Sequence, residues 1–174
     1  MRIISAALLL STSLLNTQAQ AGHNEDCDRP EFAQQYAAGF KGELNGALEK
    51  FKNQDKYYRA KLNGMKAVLI KAGTWTEVEA SVFMVKASIT DDDARALEAE
   101  RKKAASDFKV QLLSLDGIPF MAGGNKSAEI RANCLLGPTT ISKADVLYAA
   151  LERAWKLLES KIATEAQAKN VTLP

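Results

Sequence analysis

Few residues of this chain have the types and spacing that chemistry requires, and the two cysteines are the first of them. Cys27 and Cys134 form no CxxC or CxxCH motif, so thioredoxin-like chemistry and covalent haem attachment lack support. An even number of cysteines favours pairing in an oxidising compartment. The sequence therefore predicts one structural disulfide, Cys27–Cys134, with two free thiols or a redox pair as the alternatives.

The single histidine, His23, is the obvious candidate for acid–base chemistry. It precedes the first predicted helix, so a Ser–His or Cys–His arrangement would require this residue to dock elsewhere on the protein. Every acidic residue is explained equally well by a solvated helix face, and no carboxylate pair stands out. We therefore expect no catalytic residues and no enzyme activity. An enzyme built on a buried carboxylate pair remains the third alternative.

Two motifs resemble ligand-binding loops but lack the full pattern. Gly123-Gly124-Asn125-Lys126-Ser127 resembles the end of a phosphate-binding loop, but Asn125 separates glycine from lysine and no predicted strand precedes it. Asp91-Asp92-Asp93 lacks the spaced oxygen ligands and the bending glycine of a calcium loop. We expect a turn with a helix cap at Ser127 in the first case and a helix start in the second. The sequence predicts no metal site and no cofactor.

Aromatic and apolar residues at two places are candidates for contact with a partner protein. Tyr148 and Trp155 are seven residues apart on the last predicted helix, so they share a face, and both residue types are enriched in binding hot spots. Phe120 and Met121 lie in the longest segment predicted to be irregular, 116–126, and binding residues are common on such segments. For Tyr148 and Trp155 the alternative is a wide buried helix face.

The N-terminal residues predict export. Met1-Arg2 precedes an apolar run that ends near Leu15, and Ala19-Gln20-Ala21 follows a short polar stretch. This order is typical of a secretory signal peptide. The apolar run is shorter than the roughly 20 residues of a membrane-spanning helix, and an uncleaved anchor is the alternative. We predict a signal peptide over 1–21, a single helical domain over 22–174, and a periplasmic or secreted location.

Charge and hydropathy narrow the classes of partner. The formal net charge is +2, and loss of Arg2 with the leader lowers it by one. Nucleic-acid-binding proteins usually concentrate basic residues on one face, so this near-neutral balance gives nucleic acid no support. No second long apolar segment indicates a membrane span in the mature chain. We expect the partner to be another exported protein.

The mature sequence has the periodicity of helices, because apolar residues recur in steps of three and four. Breaks are predicted at Asn53-Gln54-Asp55 and at Gly137-Pro138, and the tail from Gln167 is expected to fray. The segment 76–89 fits a helix better than a strand, with Val78, Val82, Val85 and Ile89 on one side. The prediction is an all-α, single-domain, up-and-down helical bundle of four to five main helices.

The leading functional hypothesis is a small exported helical protein that binds another protein, as a chaperone-like, inhibitory or immunity-type factor. The layout of Cys27, Cys134 and a closing helix with Trp155 is similar to that of small disulfide-bonded periplasmic immunity and acid-stress chaperone proteins, but it contains no motif diagnostic of a family. The alternative is a small-ligand carrier. A cavity inside the bundle lined by Phe40, Met65 and Phe108 would favour that alternative.

Overall fold

The computed structural model describes residues 23–87, 89 and 92–173. The predicted signal peptide and the start of the mature chain at Gly22 lie outside these residues, as do Thr90 and Asp91 of the predicted helix start. The described residues contain no strand and form a helical turn at 23–26 followed by four helices. These helices are α1 (Pro30–Lys71), α2 (Glu77–Ala87), α3 (Asp92–Met121) and α4 (Lys126–Ala168). The all-α prediction is confirmed.

Helix α1 runs through Asn53-Gln54-Asp55 without interruption, so the predicted break there is wrong. Asn and Asp disfavour a helix by less than about 1 kcal/mol each, and local contacts offset that cost. Asp55 accepts a hydrogen bond from Arg59 Nε one turn later, at 2.6 Å. The side chain of Gln54 is buried.

Helices α3 and α4 both continue through a proline. Helix α3 includes Pro119 and ends at Met121, so the predicted irregular segment 116–126 shrinks to the turn at 122–125. Ile118 is buried in the last turn of α3, and its carbonyl accepts a hydrogen bond from Ala122 N at 2.9 Å. Helix α4 includes Pro138, so the predicted helix end at Gly137-Pro138 is also wrong.

Helix α2 confirms the helical interpretation of segment 76–89 and corrects the predicted faces. Thr76 and Glu79 form a reciprocal capping box, in which Glu79 N donates to Thr76 Oγ1 at 3.2 Å and Thr76 N donates to Glu79 Oε2 at 2.7 Å. The buried side chains of α2 are Ala80 and Ala87. The predicted apolar side is exposed, and it consists of Val78, Val82, Val85 and Ile89.

The chain divides into two compact units. Unit 1 contains the described residues of 23–44 and 112–140, and unit 2 contains those of 45–111 and 141–173. Helices α1, α3 and α4 each contribute residues to both units, whereas α2 belongs to unit 2. In unit 1 the buried cluster consists of Cys27, Ala33 and Cys134.

The core of unit 2 forms between α1 and α4, which run parallel in this unit. Phe51 contacts Tyr148 with 6.0 Å between ring centroids, and seven residues later Tyr58 stacks on Trp155 at 6.1 Å. Helix α3 runs antiparallel to α4, because Asp107 pairs with Lys143 and Glu100 pairs with Arg153. The fully packed part of the core is a cluster of buried residues: Leu62, Met65, Leu69, Trp75, Ala80, Ile162 and Ala166.

The C-terminal tail packs on this same core, so the predicted fraying from Gln167 is wrong. Helix α4 ends at Ala168, and Asn170 turns the chain with φ of 54°. Val171 and Leu173 then pack against the core of unit 2. Among the helices of residues 23–87 and 92–173, none has the length and apolar character that a bilayer crossing requires.

Candidate functional site

The predicted disulfide is present in unit 1. Cys27 and Cys134 are bonded with 5.8 Å between their Cα atoms, and both are almost completely buried, at 1% and 0% exposed. The bond joins the turn after residues 23–26 to the first half of α4. It closes a loop across 107 positions of sequence. The buried cysteines are the centre of the unit 1 cluster.

His23 docks against this disulfide. Its Nε2 lies 3.4 Å from Cys27 Sγ and 3.9 Å from Cys134 Sγ, and it donates a hydrogen bond to the Cys134 carbonyl oxygen at 2.9 Å. The ring is half-buried and forms T-shaped contacts with Tyr36 at 4.7 Å and Phe32 at 5.8 Å between centroids. The sequence pattern gave no sign of this placement, which depends on a contact across 111 positions.

Phe120 and Met121 lie on the last turn of α3 and are open to solvent. They are 90% and 71% exposed, and among the large apolar residues described only Val78 is as exposed as Met121. The helix ends at Met121, and Gly123 and Gly124 follow in the turn with positive φ. Asn125 Oδ1 then caps α4 by accepting a hydrogen bond from Ala128 N at 3.2 Å, so the predicted cap at Ser127 moves to Asn125.

Tyr148 is partly buried and forms one wall of a shallow cleft in unit 2. Lys50 places its ammonium over the Tyr148 ring, 3.9 Å from the centroid, which is a favourable cation–π distance. Tyr57, Tyr58 and Gln54 also line this cleft, whose volume is about 540 Å³. Tyr148 therefore contacts Phe51 in the core of unit 2 and also borders this cleft.

Gln54 is a feature of this cleft that the sequence pattern did not predict. Its side chain is 8% exposed, and neither its amide nitrogen nor its amide oxygen has a hydrogen-bond partner among the described residues. A buried polar group without a partner costs about 1–3 kcal/mol. The sequence offered no signal for the burial of Gln54, because the predicted break at 53–55 placed this residue between helices and not inside one.

Trp155 is also partly buried, and it forms a wall of a second cleft of unit 2. This cleft has a volume of about 290 Å³ and an apolar lining. Leu97, Leu151, Ala154 and Leu158 contribute to that lining. Trp155 therefore has features of both interpretations, the buried helix face and the contact surface. Its ring stacks on Tyr58, and the residue also borders an open cleft.

Two ion pairs border the Trp155 cleft. Arg59 donates to Asp55 and lies 5.8 Å from the centroid of Trp155. Arg101 donates two hydrogen bonds to Glu98, each of 2.7 Å. The hydrogen bonds from Arg101 lower the pKa of Glu98 below its ordinary value, although partial burial opposes the shift. The cleft thus combines an apolar floor with a charged rim, as small-ligand sites often do.

The residues expected to line a carrier cavity pack differently. Phe40, Met65 and Phe108 are all buried, at 3%, 4% and 5% exposed. Met65 belongs to the packed core of unit 2, and Phe108 contacts Phe51 at 5.9 Å between centroids. The Trp155 cleft is lined by other residues. The carrier hypothesis therefore rests on that cleft and not on the predicted one.

The four candidate partner-binding residues fall into two groups. Phe120 and Met121 belong to unit 1, whereas Tyr148 and Trp155 belong to unit 2 and line separate clefts. In comparisons with known proteins, no family model matches this chain, and no curated protein or solved structure is significantly similar to it.

Proposed function

We propose that this chain is an exported helical protein that acts by binding another exported protein, and that Phe120 and Met121 are central to its binding surface. The observation that carries the proposal is the exposure of these two neighbouring apolar side chains, 90% and 71%. Burial of an apolar side chain of this size is worth about 1.5–3 kcal/mol. A partner that buries both side chains gains a free energy of this order from each of them.

The helical setting of the pair adds to its suitability for binding. Phe120 and Met121 lie on the last turn of helix α3, beside buried Ile118. Side chains presented on a rigid element lose less conformational entropy on binding than side chains on a mobile loop. Methionine also adapts its shape to different partner surfaces. Because both exposed side chains are apolar, we expect an apolar recess on the partner.

The test is affinity capture with matched variants. The chain is expressed with its own leader and a C-terminal tag, and co-purifying proteins are identified by mass spectrometry for wild type, Phe120→Ser/Met121→Ser and Leu113→Ser. Leu113 is a control on the same helix, because it is apolar and 59% exposed. We expect one protein to be enriched with wild type and Leu113→Ser and to bind the double variant at least about tenfold more weakly.

Circular dichroism and thermal unfolding of the three proteins establish that the substitutions leave the fold intact. A partner retained in full by the double variant would contradict a role for Phe120 and Met121. Recovery of no stoichiometric protein from the periplasm or medium would contradict the protein-binding function itself.

A second candidate function, a small-ligand carrier, is favoured by the Trp155 cleft. Its volume of about 290 Å³ lies near the lower end of the range for ligand pockets, and its lining is mainly apolar. The expected ligand is a compact apolar molecule with a polar group that reaches the Arg59 or Arg101 pair. Such a ligand would contact the indole of Trp155 directly.

Intrinsic fluorescence tests the carrier. The chain has two tryptophans, so Trp75→Phe leaves Trp155 as the reporter. We expect 1-anilinonaphthalene-8-sulfonate to bind and to change Trp155 emission, and we expect Ala154→Phe, which fills the cleft, to abolish the change. Equal dye binding by the filled variant would contradict a ligand site at this cleft. A bound small molecule recovered without a protein partner would favour the carrier over protein binding.

A further inference from the structure

Three potential metal ligands of unit 1 lie close enough together to share one ion. The Nε2 atom of His23 and the Sγ atoms of Cys27 and Cys134 are all within 4.8 Å of one another. The two sulfurs are buried and the histidine is half-buried. In the structure the sulfurs are joined as a disulfide. The question is what this group of atoms becomes when the disulfide is reduced.

The spacing of nitrogen and sulfur matches a tetrahedral zinc site. With Zn–S bonds of about 2.3 Å and Zn–N bonds of about 2.0–2.1 Å, tetrahedral angles place a nitrogen and a sulfur ligand about 3.6 Å apart. The observed distances from His23 Nε2 are 3.4 Å to Cys27 Sγ and 3.9 Å to Cys134 Sγ. The imidazole therefore already lies within ligand distance of both sulfurs, and on reduction the two sulfurs must move to about 3.8 Å apart to complete the tetrahedral geometry.

We propose that reduction of the Cys27–Cys134 disulfide converts this group into a binding site for Zn²⁺, with the two sulfurs and His23 Nε2 as the protein ligands. This site goes beyond the proposed binding of a partner protein. Two thiolates and one imidazole are the donor set that zinc prefers. Soft thiolate ligands also select against hard cations such as Mg²⁺ and Ca²⁺.

The chemistry balances with a phosphine as reductant. The phosphorus atom supplies two electrons and takes an oxygen from water to become the phosphine oxide, the S–S bond breaks, and each sulfur gains a proton. Zn²⁺ then binds both sulfurs, and the two thiol protons pass to the solvent. A dithiol reductant gives the same two protein thiols and ends as its own disulfide.

His23 changes its role in this conversion. In the disulfide form its Nε2 carries a proton, because it donates to the carbonyl oxygen of Cys134. To bind zinc the ring must place its proton on Nδ1 and give up that hydrogen bond, so that the Nε2 lone pair faces the ion. The neighbouring rings of Phe32 and Tyr36 keep the imidazole beside the sulfurs. The fourth position of the tetrahedron then belongs to water.

Cobalt is the probe for the site, because Co²⁺ takes the place of zinc and is coloured. Purified protein is reduced with a phosphine, freed of reductant without air, and titrated with Co²⁺. We expect one equivalent to produce sulfur-to-metal charge-transfer absorption and the strong visible bands of tetrahedral Co²⁺. Added Zn²⁺ should remove these bands, since zinc binds such sites more tightly than cobalt. Unreduced protein should give neither signal.

Three variants separate this site from other metal binding. Cys27→Ser and Cys134→Ser should each lose the charge-transfer band. His23→Ala should bind Zn²⁺ about a hundredfold more weakly or worse, since even residues outside the coordination shell alter affinity by about 10–100-fold. His23→Phe keeps an aromatic ring at this position but removes the nitrogen ligand, so it shows whether the ring alone keeps the reduced protein folded. Circular dichroism with and without Zn²⁺ measures the folding of every variant.

Two results would overturn the proposal. In the first, reduced wild type gives no tetrahedral Co²⁺ spectrum, whether or not the reduced chain stays folded. In the second, reduced His23→Ala binds Zn²⁺ as tightly as wild type, which would mean that the imidazole is not a ligand.

Discussion

His23 Nε2 donates a hydrogen bond of 2.9 Å to the carbonyl oxygen of Cys134, and Cys134 lies four residues before Pro138 in helix α4. In a regular helix that carbonyl would accept from the backbone N–H of residue 138. Proline has no N–H, so the carbonyl is left without its helical donor. The side chain of His23 takes the place of the missing amide, which explains how α4 passes through Pro138.

The first prediction concerns the coupling between His23 and Pro138. We expect His23→Ala to lower the free energy of unfolding by about 1–3 kcal/mol, because a buried carbonyl loses its donor. In a Pro138→Ala background residue 138 regains its N–H and can donate to Cys134. There the cost of His23→Ala should fall by about 1 kcal/mol. Denaturant unfolding of the four proteins in a double-mutant cycle measures this coupling.

Additive effects, within about 0.3–0.5 kcal/mol, would show that the carbonyl of Cys134 does not depend on His23. The ring contacts of His23 with Phe32 and Tyr36 appear in both backgrounds of the cycle and cancel.

The second prediction concerns Gly137, whose place in α4 depends on a close approach of Tyr36. A Cβ atom on Gly137 would lie 2.6 Å from Tyr36 Cε1. We expect Gly137→Ala to destabilise the protein by about 1–3 kcal/mol through this overlap. Gly42 in α1 has nothing within 4 Å of such a Cβ, so Gly42→Ala should stabilise by about 0.5–1 kcal/mol. Thermal and urea unfolding distinguish the two outcomes.

Removal of the Tyr36 ring supplies a further control. In a Tyr36→Ala background the substitution Gly137→Ala should lose most of its cost. If its cost stays the same there, the close approach of the Tyr36 ring is not the reason for glycine at position 137.

The third prediction concerns the disulfide. Its two cysteines are 107 positions apart, and the chain-entropy model assigns a loop of this length about 4–5 kcal/mol as an upper estimate. We expect Cys27→Ala/Cys134→Ala to lower the free energy of unfolding by up to that amount. The loss of hydrogen-exchange protection should concentrate in unit 1, because the two cysteines are central to its buried cluster. Equal loss of protection in α2, which belongs to unit 2, would contradict this localisation.

The fourth prediction concerns acid stability through Glu98. Hydrogen bonds from Arg101 hold the pKa of Glu98 below its ordinary value of 4.5 in the folded chain. The contribution of this pair is therefore present above the unfolded pKa and is lost as pH falls through the folded pKa. We expect Glu98→Gln to lower the free energy of unfolding by about 0.3–1 kcal/mol at pH 7. At a pH below the folded pKa of Glu98, the substitution should change this free energy very little.

Urea unfolding of wild type and Glu98→Gln across a pH series tests this dependence. A difference between the two proteins that stays constant with pH would assign the effect to packing and not to charge.

The sequence by itself determined the helical class and predicted the Cys27–Cys134 disulfide. Helical periodicity is a local property, so steps of three and four predicted helices over most of α1, α3 and α4 without knowledge of their neighbours. With two cysteines in the chain, there was one possible intramolecular pair. The predicted irregular segment 116–126 contains the observed turn, although α3 extends into it as far as Met121.

Only the tertiary structure decided where a helix continues through residues that usually end one. Three places have the residue types of a helix break, yet each lies inside a helix. They are Gly137-Pro138, Ile118-Pro119 and the run at 53–55. For Pro138 the physical reason is visible, since a donor from a residue 111 positions away replaces the missing amide. Such a compensation cannot be read from spacing, because it depends on which distant side chain the fold brings to one carbonyl.

The faces of α2 and α4 were decided in the same way. The stripe of Val78, Val82 and Val85 is as periodic as any core stripe in the chain, but the fold buries Ala80 and Ala87 and leaves the valines exposed. Periodicity shows that residues share a face, whereas only the neighbouring helices determine whether that face is covered. Tyr148 and Trp155 share a face for the same reason, and the packing of α1 and α3 in unit 2 made each of them the wall of a different cleft.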